Sequence, residues 1–266
     1  MDHRNCNRAR VAISPAYASN PPQPGESTAR IHVGHARSML LGRLIADELG
    51  IPFHVRFDGM VDGRDRGECI IDTVNCLCFL GIAVDYVYWV QQVVPSKEAL
   101  VGLLGQEAAD RLYIALYDPE VTPDYYRCLM LDDAVLHAPS LIVRGMEFAG
   151  EAQYYPGSPA AHLAAENLVF GAIGQQKHEI NVPLILRDTE KMSKSTLVAV
   201  HWTTLTGVSP ELAKRFLVAT ALFPTDPLNH LDTPFSIAAM SRTPYRWSWK
   251  DWAALCPSEG EASNRG

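Results

Sequence analysis

Two short strings hold the side chains best suited to chemistry: His32-Val33-Gly34-His35 and, far downstream, Lys191-Met192-Ser193-Lys194-Ser195. The histidines stand where an apolar periodic run begins, Ala36 to Leu49. That run stops at Gly50, so the pattern predicts a helix with a glycine C-cap. Imidazoles at a helix N-terminus lie where unpaired N–H groups and the helix dipole favour phosphate. Gly34 has no side chain and lets a base or ribose approach the backbone. Lys191 and Lys194 follow the strand-like run Val182 to Leu186 on a polar loop, from which two ammonium groups could close on a polyphosphate. The combination suits in-line displacement at phosphorus, a reaction governed by positioning and charge neutralisation.

The elements that must position these strings alternate in the first eighty or so residues. Arg10 to Pro15 reads as a strand, Ala36 to Leu49 as a helix, Pro52 to Phe57 as a second strand, and Glu68 to Leu80 as a second helix. This is the βαβ pattern of an α/β doubly wound parallel sheet, whose ligands sit at the carboxyl ends of the strands near the switch in strand order. Ser209-Pro210-Glu211 has the cap, first-turn proline and early acid of a helix running to about Leu222. A chain of 266 residues, 47% hydrophobic, can bury one sizeable core with a small appendage.

Set beside known proteins, the two strings match the HIGH and KMSKS motifs, and the chain resembles the class I aminoacyl-tRNA synthetases of the glutamyl/glutaminyl branch. Three further segments carry the resemblance. Arg10-Val11-Ala12-Ile13-Ser14-Pro15 is similar to the opening strand of that branch. Arg56-Phe57-Asp58, with Arg64 and Arg66 and the run to Leu80-Gly81-Ile82, is similar to its next strand and helix. Asp132-Asp133 followed by Val143-Arg144-Gly145 resembles its VDD…VIRG segment. The resemblance covers residues 8 to 200 and implies a Rossmann-like catalytic domain with an insertion at about 83–124. A helical appendage at 201–255 and a disordered tail at 256–266 are expected to follow.

The resemblance also implies roles. ATP, with Mg2+, would be held by His32, Gly34, His35, Met192, Ser193 and Lys194, with His32, His35, Lys191 and Lys194 catalytic. The amino acid would be held by Arg10, Ser14, Asp58, Tyr125 and Arg144. Arg10 and Arg144 would face a side-chain carboxylate, the bidentate pairing that guanidinium suits best. Asp58 would face the α-ammonium. Glutamate is therefore the expected amino acid and tRNA the expected acceptor, as in the truncated glutamyl-queuosine tRNA synthetases that this chain is similar to in size. Departures pull against that identity. Gly59-Met60-Val61 replaces the usual acidic and threonine residues, Leu129 stands where a pocket asparagine is common, and the proline-rich segment Ala16 to Ile31 replaces a much shorter turn.

Composition bears on the acceptor. The net charge of −7 disfavours a broad nucleic-acid surface. Arg242, Arg246 and Lys250 interleave with Tyr245, Trp247, Trp249 and Trp252, a pattern that can stack on a single strand. Packing of a C-terminal helix is the favoured reading of those aromatics. No anticodon-binding region is expected after the second motif. A paralogue passing its activated amino acid to a small molecule or carrier protein is the alternative, and a non-catalytic regulator comes third. The six cysteines show no facing CxxC or CxC pairs, so they read as small core residues with no zinc expected. His137, His162, His178, His201 and His230 lack ligand spacing. Free thiols, no signal peptide and no long apolar run point to a reducing cytoplasm, with no membrane partner.

Overall fold

A computed structural model of the chain describes residues 6–13, 16–17, 31–58, 64–90, 95–117, 129–136, 139–145, 159–192 and 199–256. In chain order they form β1 (Arg8–Ile13), β2 (Ala16–Tyr17), α1 (Val33–Leu49), β3 (Phe53–Phe57), β4 (Arg64–Asp65), α2 (Arg66–Phe79) and β5 (Tyr86–Trp89). Next come α3 (Lys97–Leu104), α4 (Gln106–Tyr117), a π-helical turn Asp132–Leu136, β6 (Ser140–Gly145), α5 (Pro159–Ala172) and β7 (His178–Val182). The chain continues through β8 (Ile185–Arg187), β9 (Glu190–Lys191), α6 (Pro210–Leu222), β10 (Tyr245–Trp247) and α7 (Trp249–Ala253), with short 3-10 turns between.

The central sheet has five parallel strands in the order β5-β3-β1-β6-β7. Strand order reverses between β1 and β6, which makes the carboxyl ends of those two strands the switch point of a doubly wound sheet. The period-two alternation of the strands gives the sheet two unlike faces. Ala9, Val11, Ile13, Phe53, Val55, Phe57, Leu141, Val143, Ile180 and Val182 share one face and are all buried. Helix α1 lies on that face so closely that a Cβ on Gly42 would stand 2.6 Å from the Phe53 ring and 2.8 Å from Val11. The other face carries Arg10, Arg56, Tyr88, Arg144 and Glu179. A second apolar cluster, drawn from α3, α4, residues 130–134 and α5, sets acidic side chains against that polar face.

Local chemistry explains most boundaries. The helix expected at Ala36 starts three residues earlier, because His32 serves as its N-cap, and it ends at Gly50 with φ 67°, a left-handed conformation suited to glycine. Ser209 caps α6 through its side chain with Pro210 in the first turn, as the sequence predicts. The run Val182 to Leu186 is not one strand. Pro183 has no N–H to continue the ladder, so β7 ends at Val182, and β8 pairs instead with β9 and β10. Residues 86–89, inside the segment read as an insertion, are the edge strand of the central sheet; their Tyr/Val alternation suits a pleated surface.

The chain after Val200 shares the sheet's apolar core through Trp202, Phe216, Leu217, Trp247 and Trp252, and it includes strand β10 as well as helices. Phe216 meets Tyr245, Trp247 and Trp252 edge-on at 6.1, 6.0 and 5.3 Å between ring centroids. Cys6, Cys69 and Cys76 are buried, but Cys78 is exposed, because two residues along a helix turn a side chain to another face. Among the described residues no helix is long and apolar enough to cross a membrane. Most of the proline-rich segment and the tail beyond Cys256 lie outside the described residues.

Candidate active site

The first signature is a helix cap built from two imidazoles. His32 Nδ1 accepts the Gly34 N–H at 3.0 Å, and His35 Nδ1 accepts the His32 N–H at 3.4 Å. Each histidine thus uses Nδ1 as an acceptor, which assigns the proton of the neutral ring to Nε2, a donor of the kind phosphate accepts. The rings are 3.9 Å apart between centroids. They stand at the N-terminus of α1, the helix that follows β1 at the switch point.

Sequence reading gave no sign that the stretch following the second signature would touch the first. Val33 N–H donates to the Val200 carbonyl at 2.9 Å and Trp202 N–H to the Ile31 carbonyl at 3.3 Å, an antiparallel bridge centred on His32 and His201. Asp72 of α2 fastens it by accepting from Ile31 N–H at 2.6 Å and Trp202 Nε1 at 2.6 Å, with His201 Nε2 at 3.3 Å. Burial alone would raise the Asp72 pKa, but these bonds to His201, Trp202 and Ile31 outweigh it and hold the carboxyl below its usual range.

Lys191 lies on β9, paired with Leu186 of β8, and Met192 is buried in the main core rather than open to solvent. Arg37 anchors the root of this hairpin. It is one and a half turns into α1, 1% exposed, and donates to the carbonyl of Pro183, to Thr220 Oγ1 at 3.1 Å and to the Thr220 carbonyl at 3.3 Å. Burial lowers its pKa to about 9, so it is still a cation at neutral pH. The Thr220 carbonyl is among the last four of α6, where the negative end of the helix dipole meets the guanidinium. Ser193 and Lys194 lie outside the described residues, as do Ser14 and Tyr125.

Arg10 and Asp58, expected to hold the amino acid, are brought together through Arg56 and the Asp132-Asp133 pair. Arg56 donates to Asp58 at 2.6 Å, to Asp133 at 2.6 Å and to Asp132 at 3.0 Å. Arg10 Nη2 pairs with the same Asp133 oxygen. Burial works against the Arg56 charge, yet Asp133, Asp58 and Asp132 more than offset it and raise its pKa well above the ordinary value. Burial, reinforced by the like charge of Asp133, pushes Asp132 up to about 6. Arg10 is 1% exposed, and its Nε and Nη1 have no hydrogen-bond partner among the described residues. Tyr88 projects from β5 into this cluster, and burial raises its pKa.

Arg144 is held by a second cluster that no sequence motif announced. Its two terminal nitrogens donate to Glu166 of α5 at 3.0 and 3.3 Å, and Nε lies 3.7 Å from Glu179 of β7. Lys177 bridges the same two carboxylates at 2.5 and 2.9 Å. Burial opposes the Arg144 charge, but Glu166 foremost, then Asp133 and Glu179, raise its pKa. The strand register places Arg10, Arg56, Arg144 and Glu179 on the same face, so the two clusters form one charged layer on the polar side of the sheet. Among the described residues no group of three His, Cys, Asp or Glu side chains is placed to hold a metal ion.

No family model matches the chain. Over 93 residues it is 36% identical to glutamate–tRNA ligase 2 of Xanthobacter autotrophicus, a match that covers 35% of this chain and 20% of that ligase. In three dimensions it resembles a glutamate tRNA ligase from Elizabethkingia meningosepticum, solved in complex with its amino acid, with a TM-score of 0.59 at 14% identity. That match covers 93% of this chain and 68% of the ligase. A glutamate-tRNA synthetase from Elizabethkingia anophelis gives 0.58 at 14% identity, covering 93% and 70%. The chain shares the α/β fold of these ligases.

Proposed function

On that shared architecture, we propose that the chain activates an amino acid with ATP as an aminoacyl-adenylate and passes it to an RNA 3′ end. The carboxylate oxygen of the amino acid attacks the α-phosphorus, the bond to the bridging oxygen breaks, and pyrophosphate leaves with the electron pair. An acceptor hydroxyl then attacks the carbonyl carbon and AMP departs. The observation that supports this reading most is the cap of His32 and His35 at the switch point, bridged to the segment that follows Lys191 to Ser195. Charge developing on the departing group would meet the Nε2 protons of both histidines, the N-terminus of α1, and the ammonium groups of Lys191 and Lys194. Magnesium enters this scheme as part of the nucleotide substrate. Gly34 leaves room for the capping ring of His32, and Met192, buried in the core, fixes the start of the second signature.

Asp58, fixed by Arg56, suits an α-ammonium group, and Arg10 lies within the same cluster. Glutamate is the amino acid named in the ligases this chain resembles. The direct test is exchange of labelled pyrophosphate into ATP, run over the common amino acids with and without total tRNA. Exchange that depends on an amino acid supports activation, and dependence on RNA supports the RNA acceptor. Absence of exchange with every amino acid under both conditions would overturn the reading.

A further inference from the structure

We propose that Glu166 sets the amino-acid preference of this site, converting its side-chain end from a carboxylate receptor into one for an uncharged, hydrogen-bonding side chain. The proposal rests on the activation reading above. Arg144 is the guanidinium expected to meet an acidic side chain, but both of its terminal nitrogens already face Glu166, at 3.0 and 3.3 Å. Glu166 is 1% exposed and Arg144 18%, so the pair is largely shielded from the solvent that screens a surface contact. The other cation of this cluster among the described residues, Lys177, is held by Glu166 and Glu179. Two cations and two anions leave this quartet neutral.

The adjoining cluster has two guanidinium groups, Arg10 and Arg56, against the carboxylates of Asp58, Asp132 and Asp133. With every group ionised, the described residues of the two clusters together carry one negative charge more than positive. A zwitterionic amino acid adds no net charge to this layer, whereas an acidic side chain brings a further negative charge to an Arg144 already faced by Glu166 and Glu179. A carboxylate would also have to compete with Glu166 for both terminal nitrogens of Arg144.

What this layer does offer is hydrogen-bond donors. Arg10 Nε and Nη1 are buried with no acceptor among the described residues. A neutral carbonyl oxygen, such as that of a carboxamide, satisfies such donors without adding charge.

The test measures kcat/KM for pyrophosphate exchange with glutamine against glutamate and asparagine against aspartate. It is run with and without total tRNA, alongside calorimetric binding of each amino acid alone. Wild-type protein should favour the amide over its acid by about tenfold or more. Glu166→Gln frees Arg144 and should move that ratio about tenfold toward the acid, while Glu166→Asp keeps the wild-type order. Should Glu166→Gln fail to fold, Lys177→Met supplies the opposite change and should move the ratio further from the acid. A wild-type preference for glutamate or aspartate overturns the proposal while leaving activation intact, as does a ratio that no variant changes. Wild-type protein that neither exchanges nor binds any amino acid overturns the activation reading and this proposal with it.

Discussion

A Cβ added to Gly34 would stand 2.7 Å from His32 Cε1 and 2.8 Å from Nδ1, so the glycine of the first signature keeps open the space that the capping ring fills. Gly34→Ala should push the His32 ring off its cap and cost about 0.5–2 kcal/mol of stability, the usual value of an N-cap. It should also raise the KM for ATP, because the displaced ring is the proposed phosphate donor; thermal melts and exchange kinetics read the two effects. Unchanged melting and KM would remove the cap from the mechanism. Asp132 has a pH signature of its own. Its folded pKa, about 6, exceeds the ordinary 3.8, so the folded state binds the proton more tightly. Its stabilising contribution is complete below about pH 4 and is lost as pH rises through 6. Asp132→Asn fixes the neutral form, so the variant should gain on wild type by about 1–2 kcal/mol between pH 5 and pH 8 in urea denaturation. A constant difference across that range would show that Asp132 is not the titrating group.

Elements, more than single residues, show where sequence reading stops. The first strand, the helix after His32 and the helix after Ser209 were legible because alternation, a capping residue and a glycine or proline stop act within a few positions. The partners of the site were not. Nothing near Arg144 in sequence points to Glu166 or Lys177, and nothing near His32 points to Val200 or Asp72; those contacts exist only once distant segments pack on the two faces of the sheet. Arg37 is such a partner, binding α1 to the root of the β8–β9 hairpin and to the end of α6. Arg37→Met should leave the Pro183 and Thr220 carbonyls buried without a donor and cost about 2–5 kcal/mol. Arg37→Lys should recover only part of that, because one ammonium cannot reproduce the guanidinium fork. Guanidinium denaturation of both variants decides: a methionine variant as stable as wild type would mean that water or side-chain rearrangement replaces the anchor.

For the whole molecule the acceptor turns on charge. With 23 basic and 30 acidic residues, the chain repels a polyanion at long range, so any grip on RNA must be local and make few phosphate contacts. The interleaved aromatic and basic residues near the C-terminal end divide into two sets. Tyr245, Trp247 and Trp252 point inward and pack on Phe216, the first two from strand β10 and only Trp252 from the expected C-terminal helix. Arg242, Arg246, Trp249 and Lys250 remain exposed, Trp249 to 62%. The outward set can stack one base and neutralise a few phosphates without disturbing the core. Combining Arg246→Glu with Lys250→Glu should therefore weaken transfer to RNA by about tenfold at low salt, with the gap from wild type narrowing as salt rises. Amino-acid-dependent pyrophosphate exchange measured without RNA should stay unchanged, because both residues are exposed on the C-terminal segment and neither belongs to the ion-pair clusters of the sheet. Equal transfer by the variant and wild type at low salt would place the acceptor elsewhere on the surface and strengthen the case for an acceptor that is not RNA.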